Sequence, residues 1–457
     1  MLHAQPGMGA GGARDTLDLN TFQRRVLANH PELTQLRNEQ AQARRLVTVA
    51  KGAFDPKVSA SLADKRYKSE QYYRFTDIAL SIPTLVGADF KLGFERGVGS
   101  KINPERSTSN DGLFTLGVQI PLGRNLITDE RRTLLTRARA VSDIADADAI
   151  AATNKLLTNA SKAYGEWYLA NRKLVIADSG VRLATFRLES VMARIRAGES
   201  AAIDSVEARL EVRRRQVALL EAQNELQIAG IEASAFLWTD RAQPARLGTS
   251  LTPALTSPGG AETDTTALAG WIASAQRDHP TVRKADAKIA IESAELKLAR
   301  QGLLPNLDVA VSALANGGTG VLQPSQWNDN FKSTASASTA LLLRKERGKL
   351  QASALKMESA RLERSIGQQR VAIEIQNALG TLIMLETAER LQRDNVVSAG
   401  MLRDAEDARF VLGESTLLAV NIRERFLLDE LVKLEQFRAK LLSAGVALTS
   451  ARGVPPG

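Results

Sequence analysis

The sequence contains no cysteine. No disulfide, thiolate nucleophile or lipidated N-terminal cysteine is therefore expected. Histidine is nearly absent: His3, His30 and His279 are too few to build a His-based metal site. Aromatic residues make up only 5% of the chain, while Ala, Leu, Arg, Glu and Gln are abundant, which favours long helices over compact sandwiches. No run of about 18 apolar residues occurs, so no transmembrane helix is encoded. The N-terminal MLHAQPGMG lacks the charged and apolar regions of a signal peptide. Leu2-His3-Ala4 before Gln5 reads as the tail of a cleavage site whose upstream part is missing. There is no nucleophile motif, no glycine-rich loop opening a helix after a strand, and no metal-ligand spacing. The expectation is therefore no enzyme, no metal and no cofactor.

What is present is length, apolar content and charge of both signs. The chain has 457 residues, is 44% hydrophobic and carries a net charge of +9. Its basic residues are interleaved with acids, as in EARLEVRRRQVALLEAQNE, rather than gathered in a block. Such patterning describes solvated helix faces, and no nucleic-acid partner is expected.

The chain is written twice. NHPEL at 29–33 answers DHPTV at 278–282, and Pro56 answers Pro305, both at an offset of 249 residues. Farther on the offset is 215: Gly165 matches Gly380, and ARIRAGES (193–200) matches ARFVLGES (408–415). The 34 missing residues mark an insertion in the first half, between Pro56 and the long helical stretch after it. The domain reading is an N-terminal disordered segment 1–16, then a first repeat 17–240 with helices 17–53 and 128–240 and strands 57–122. A linker 241–264 follows, then a second repeat 265–450 with helices 265–302 and 344–450 and strands 306–342, and a tail 451–457.

Each repeat reads as helix, alternating strands, very long helix, sharp break, helix. Leu17–Asn29 and Pro31–Ala53 look helical, with Pro31 suited to a first turn. His30-Pro31 and His279-Pro280 are read as helix junctions. Residues 128–197 hold no proline, and as one helix they would be about 105 Å long. Gly198 and Gly413 interrupt the helical pattern, and glycine supplies the left-handed conformation that ends a helix. Ser200 and Ser415 are then expected to cap the next helix, with Asp204 and Glu207 favourable in its first turns. Apolar residues follow at heptad spacing, Ile203, Leu210, Val217 and Ile231 in one half, Val420, Leu427, Leu434 and Leu441 in the other. That period sets left-handed supercoiling against neighbours.

The segments between the helices alternate with period two. Val58/Ala60/Leu62, Ile78/Leu80/Ile82, Phe90/Leu92/Phe94 and Phe114/Leu116/Val118/Ile120 form apolar faces opposite polar ones. Leu307/Val309/Val311 and Ala335/Ala337/Thr339/Leu341 do so in the second half. Runs near ten residues with one apolar face fit a membrane β-barrel, and a soluble two-faced sheet shows the same pattern. Pro83-Thr84-Leu85-Val86-Gly87 reads as a turn between two strands. Tyr67, Tyr72 and Tyr73 are placed as an interfacial belt. Four or six strands do not close a barrel alone, so strands that span a membrane require an oligomer.

Taken together, NHPEL and DHPTV, DPKVSAS and LPNLDVAVS entering the strands, IPLGRN leaving them, and the two tip phrases resemble the TolC-like outer-membrane efflux protein family. The resemblance covers about residues 17 to 450 and lies in the order and duplication of the motifs. It implies a mainly α protein with membrane β, in which duplicated helix–β-hairpin–long helical hairpin repeats form a trimeric α-barrel, a coiled-coil tunnel continuous with an outer-membrane β-barrel. It implies a homotrimer in outer-membrane lipid with its helical barrel in the periplasm. The implied role is a passive exit channel of a tripartite efflux pump or a type I secretion system. The partners would be a periplasmic adaptor (membrane fusion) protein and an inner-membrane transporter.

The family's gate acids stand six and nine residues after the second tip glycine, where this chain has Ala419 and Ile422. The acids Asp204 and Glu207 stand at those spacings after Gly198 instead, which makes them the candidate periplasmic gate. Gly198, Glu199, Ser200, Gly413, Glu414 and Ser415 are the candidate adaptor-docking tips. The family usually has two strands per repeat, whereas four alternating segments lie between Lys57 and Pro121. They add either two or four strands to the wall. A soluble coiled-coil scaffold, periplasmic or cytoplasmic, is the alternative, although it leaves the paired strands unexplained.

Overall fold

A computed structural model describes residues 16–199, 201–248, 251–255 and 265–454. The expected N-terminal segment (residues 1–15 of it), much of the linker (249–250 and 256–264) and the last three residues of the tail lie outside these described residues. Thr16 is described, and it pairs in a short strand, as set out below.

Two repeats are plain in the helices. In the first, α1 (Leu19–Asn29) and α2 (Pro31–Lys51) precede the strands, and α3 (Glu130–Arg196) and α4 (Ala202–Ser234) follow them. In the second, α5 (Leu268–Asp278) and α6 (Pro280–Gln301) precede the strands, and α8 (Arg344–Val411) and α9 (Leu417–Ala451) follow. A six-residue α7 (Pro324–Asp329) lies between the two strands of the second repeat. The long helices have 67 and 68 residues, about 100 Å each at helical rise. Both His-Pro junctions are built alike. His30 and His279 end α1 and α5 in extended backbone, and each Nδ1 accepts from the amide two residues on, at 3.3 and 3.2 Å.

The chain divides into two compact units, one from 1–37, 148–281 and 368–457, the other from 38–147 and 282–367. The first unit is helical, and its core gathers Phe22, Val26, Leu156, Tyr164, Trp167 and Leu442. A two-stranded parallel ribbon belongs to it, β1 (Thr16–Leu17) with β6 (Thr252–Pro253). The Tyr164 hydroxyl lies 2.7 Å from the carbonyls of both Leu17 and Ala254, so one buried phenol ties the ribbon to α3.

The heptad stripe of the first repeat is not buried within one copy of the chain. Ile203, Leu210, Val217 and Ile231 are 68, 47, 54 and 64% exposed, whereas Val420 and Leu434 are 0 and 5%. In α4 the buried residues are Ala208, Glu211, Ala222, Ala229 and Ala233. Small side chains let neighbouring helix backbones approach closely on that face, and the bulkier heptad stripe is left outside the protomer.

The second unit holds one antiparallel six-stranded sheet, in the order β2 (Lys57–Tyr67), β3 (Glu70–Pro83), β4 (Asp89–Val98), β5 (Leu113–Pro121), β7 (Asn306–Asn316), β8 (Phe331–Ser338). Strand β8 stops before Thr339 and Leu341, and Leu341 is 94% exposed. The alternating pattern there carried no information about where pairing ends. The turn at 83–87 forms as read, with Gly87 at φ +93° and Thr84 N–H donating to Ala88 O at 3.1 Å.

The two repeat offsets locate the insertion. The offset of 249 carries Lys57–Tyr67 onto Asn306–Asn316, so β2 matches β7. The offset of 215 carries Leu116–Pro121 onto Phe331–Ser336, so β5 matches β8. The β3–β4 hairpin is the additional piece. It sits between β2 and β5, which widens the sheet from four strands to six and leaves its edges, β2 and β8, unaltered.

Candidate functional site

Three features carry functional chemistry: two helix tips, a buried charge cluster beneath them, and the two faces of the sheet. The first two belong to the helical unit, and the sheet belongs to the other.

The tips are near copies of one another. Gly198 has φ +79° and Gly413 φ +78°, a region that L-residues with a Cβ rarely adopt. Gly198 N–H donates to Ile195 O (3.0 Å) and Glu199 N–H to Arg194 O (2.9 Å). Gly413 N–H donates to Phe410 O (3.1 Å) and Glu414 N–H to Arg409 O (2.9 Å). These paired bonds are the Schellman pattern, which satisfies the last carbonyls of each long helix. Glu199 and Glu414 are exposed beside them.

The serine cap expected at the second tip does not form. Ser200 lies outside the described residues, and α4 starts from Ala201, which offers no side-chain cap. In α9 the cap is Thr416, whose Oγ1 accepts from Ala419 N–H at 3.2 Å. Ser415 Oγ instead donates to Glu406. A hydroxyl one residue too early is out of reach of the first-turn amides, so the next residue takes the role. Asp204 does occupy the first turn of α4. Glu207, three residues on and on the same helix face, accepts from Asn421 Nδ2 on α9 at 3.4 Å. Both acids are half-buried.

Beneath the tips lies a cluster that sequence reasoning missed. Arg187 on α3 pairs with Glu424 on α9 and, at 3.2 Å, with Asp407 on α8. Glu211 on α4, also buried, receives Arg215 at 2.9 Å. Burial pushes the Glu424 carboxyl above the usual carboxylate range, against the pull of Arg187, Arg215 and Arg403. Farther along the same unit, Glu389 is flanked by Arg393 (2.8 Å) and Arg438 (3.1 Å). Burial works to raise its pKa, but the two guanidinium hydrogen bonds outweigh it and hold the carboxyl below its ordinary value. Arg438 also reaches Glu435, which accepts from the Tyr168 hydroxyl at 2.6 Å. The available signal was an acid inside an apolar seam. Glu424 follows the fully buried Val420 by one helical turn, yet acids on helices are ordinarily read as solvated.

On the sheet, register assigns every side chain to a face. One face joins Val58, Ala60 and Leu62 to Ile78 and Leu80, then Leu92 and Phe94, Phe114 and Leu116, Val309 and Val311, and Ala335 and Ala337. A band of it is apolar across all six strands, with Asp64, Arg74 and Arg96 on the same face nearer the β2–β3 turn, and Val58, Leu62, Ile78, Leu92, Leu116 and Val311 on it are exposed. The opposite face is mostly polar or small, with Ser59, Ser61, Asp77, Lys91, Gly93, Thr115, Gln119, Ser312 and Ser336, and carries Tyr73, Phe75, Leu113 and Leu314 as its large side chains. The connection from β4 to β5 folds back over this polar face. Thr108 N–H donates to Gly97 O (3.1 Å), and the Arg106 guanidinium stands 4.0 Å from the Phe75 ring centroid and 3.5 Å from Asp77. Among the described residues no helix is long and apolar enough to cross a membrane, and no group of acids and histidines is arranged to hold a metal.

A duplicated helical hairpin and a two-faced antiparallel sheet are the features that comparison with known proteins picks out. Residues 23–233 match the family described as outer membrane efflux protein. In structure the chain is similar to the outer membrane protein VceC of Vibrio cholerae, at 16% identity and TM-score 0.63, over 95% of this chain and 96% of that one. It is similar to the open-state MtrE outer membrane channel of Neisseria gonorrhoeae, at 13% identity and TM-score 0.62, over 95 and 88%. It is also similar to the CmeC outer membrane channel of Campylobacter jejuni, at 12% identity and TM-score 0.63, over 95 and 85%. At these identities the structural likeness is one of fold. No curated protein matches the chain by sequence. The resemblance read from the motifs is thus borne out, both by the family match and by the fold.

Proposed function

We propose that three copies of this chain form a passive exit channel through the outer membrane. It would serve a tripartite efflux pump or a type I secretion system, with an inner-membrane transporter supplying the energy. The observation that carries the reading is the sheet. Its apolar face suits lipid, its polar face suits a water-filled lumen, and its two edges are unpaired. Open edges are not tolerated in lipid. β2 runs away from α2 and β8 runs back toward α8, so β8 of one copy lies antiparallel to β2 of the next. Three sheets of six then close a barrel of eighteen strands. The exposed heptad stripe on α4 supports the same assembly, because a neighbouring copy is the natural partner for it.

The absence of cysteine makes the test clean. Ser59→Cys on β2 is combined in turn with Thr334→Cys, Ser336→Cys and Ser338→Cys on β8. Oxidation is expected to give a covalent trimer in at least one combination, and the purified wild type should open steps of conductance in a planar bilayer. Membrane-inserted protein that neither cross-links nor conducts would sink the reading.

A periplasmic adaptor would dock at the tips, Gly198, Glu199 and Ser200 in one hairpin, Gly413, Glu414 and Ser415 in the other. Exposed apolar side chains around them, Ile203, Val206, Val411, Leu412 and Leu418, support a binding surface there. Asp204 and Glu207 would gate the entrance beside the first tip. Their half-burial, shared helix face and first-turn position support that role. The double variant Asp204→Ala/Glu207→Ala is expected to raise single-channel conductance and weaken cation preference at the entrance. Identical conductance and selectivity in that variant would remove both residues from the gate.

A further inference from the structure

The polar face of the sheet carries a charge arrangement that an exit channel does not by itself require. Register places Lys57, Ser81, Lys91, Gly117, Ser312 and Lys332 on one cross-strand row. All three lysines are exposed. Among the described residues, no carboxylate forms a salt bridge with any of them; Lys91 Nζ donates to Gln119 Oε1 at 2.7 Å. The acids of the same face are partly committed elsewhere. Asp77 faces Arg106 at 3.5 Å, and Asp89 faces Arg131 at 3.2 Å. Asp308 accepts from the Asn306 amide at 2.9 Å. Among the described residues that leaves Glu95 and Asp308 without a cationic partner, against Lys57, Lys91 and Lys332.

The row is not level. Lys57 is the first residue of β2, Lys91 the third of β4, and Lys332 stands six residues before the helix-side end of β8. At about 3.4 Å per residue the three stand roughly 0, 7 and 20 Å along their strands from the helix-side end. Adjacent strands are about 4.8 Å apart, so Lys57 and Lys91 are separated by about 10 Å across the sheet, and Lys91 and Lys332 by about 14 Å.

We propose that Lys57, Lys91 and Lys332 form a staggered cationic ladder on the lumen wall, which gives the barrel a preference for anions and anionic cargo. The proposal rests on the polar face lining a lumen. Positive side chains along a wall are a general way for pores to admit anions, and several weak sites in series allow release as well as capture.

Screening sets where the effect shows. An eighteen-stranded barrel tilted at about 40° is roughly 35 Å across, which puts its axis about 18 Å from the wall. The Debye length is about 30 Å at 0.01 M salt, 8 Å at 0.15 M and 3 Å at 1 M. The ladder therefore governs the whole lumen in dilute salt, holds close to the wall at physiological strength and is silent in concentrated salt.

The test is the reversal potential of single channels in a tenfold KCl gradient, at low and at high salt. It compares the wild type with Lys57→Gln/Lys91→Gln/Lys332→Gln and with the corresponding triple glutamate variant. Both are repeated in the Asp204→Ala/Glu207→Ala background, so that a cation-preferring entrance in series does not mask the wall. At the dilute end the chloride-over-potassium permeability ratio is expected to fall by about threefold with glutamine and further with glutamate. The difference should vanish near 1 M salt. Should a triple variant fail to form channels, Lys91→Gln alone is expected to shift the ratio the same way by a smaller factor. Channels that open normally with an unaltered ratio overturn the ladder and leave the channel standing. A wild type that opens no channels overturns the channel and the ladder with it.

Discussion

Arg187→Met is expected to lower the stability of the helical unit by about 3–5 kcal/mol, the cost of leaving a buried charge without its partner. The Glu424 side chain is 4% exposed, and Arg187 is the cation that meets it directly. Without the guanidinium, Glu424 must either stay charged in a poorly solvated seam or take up a proton. Asp407 suffers less, because its side chain is 48% exposed and water replaces the lost contact. The double variant Arg187→Met/Glu424→Leu should recover most of the loss, since an apolar pair of similar volume commonly replaces a buried ion pair without penalty. Thermal unfolding followed by circular dichroism gives the ranking. A single variant that melts with the wild type, or a double variant that melts below the single one, would show that the pair is not what holds these helices.

Two carboxyls of the helical unit make its stability depend on pH with opposite signs. The folded-state pKa of Glu424 is raised above its unfolded value of about 4.3. Its favourable contribution is present below that unfolded value and is lost as pH rises through the folded one. Glu389 has a lowered folded-state pKa, so its contribution is present above the unfolded value and disappears as pH falls through the folded one. In Arg187→Met the Glu424 window should extend to higher pH while the Glu389 limb stays where it is.

The second large effect concerns the β4–β5 connection. A Cβ built on Gly97 would stand 2.0 Å from the Arg106 carbonyl oxygen and 3.2 Å from Ile102 Cδ1. The nearer clash is with backbone, so no rotamer change relieves it. Gly97→Val should therefore drive the connection off the polar face, breaking the bonds between Gly97 and Thr108 and the seat of Arg106 on Phe75. Trypsin cleavage after Lys101 and Arg106 in detergent is expected to speed up by about tenfold, equivalent to about 1.4 kcal/mol of lost docking. Arg106→Ala removes only the side-chain seat, and cleavage after Lys101 should rise by less. Equal cleavage rates at Lys101 in wild type and Gly97→Val would mean that the connection is held by something other than this contact.

Much of the architecture was legible in the chain because its signals are local. Two matching helix-ending phrases, one glycine each, predict two left-handed turns, and both glycines adopt φ near +80°. Period-two alternation located all six strands, since a side chain's face depends only on its parity along the strand. The errors came where a residue's role depends on another segment. Ser415 carries a suitable hydroxyl, but Thr416 stands at the helix start. Which hydroxyl caps is a matter of one residue of register, set by how the chain leaves the preceding glycine.

The sequence by itself determined the duplication, the long helices, the hairpin tips and the two-faced strands, because periodicity and backbone conformation are written residue by residue. Only the tertiary structure decided that the β3–β4 hairpin is the insertion and lies between β2 and β5, since strand order depends on pairing across long loops. It also placed Glu211 and Glu424 in a buried seam and turned Ile203, Leu210, Val217 and Ile231 outward. An acid or an apolar side chain is buried only by what packs against it, and that neighbour comes from another part of the chain, or from another copy of it.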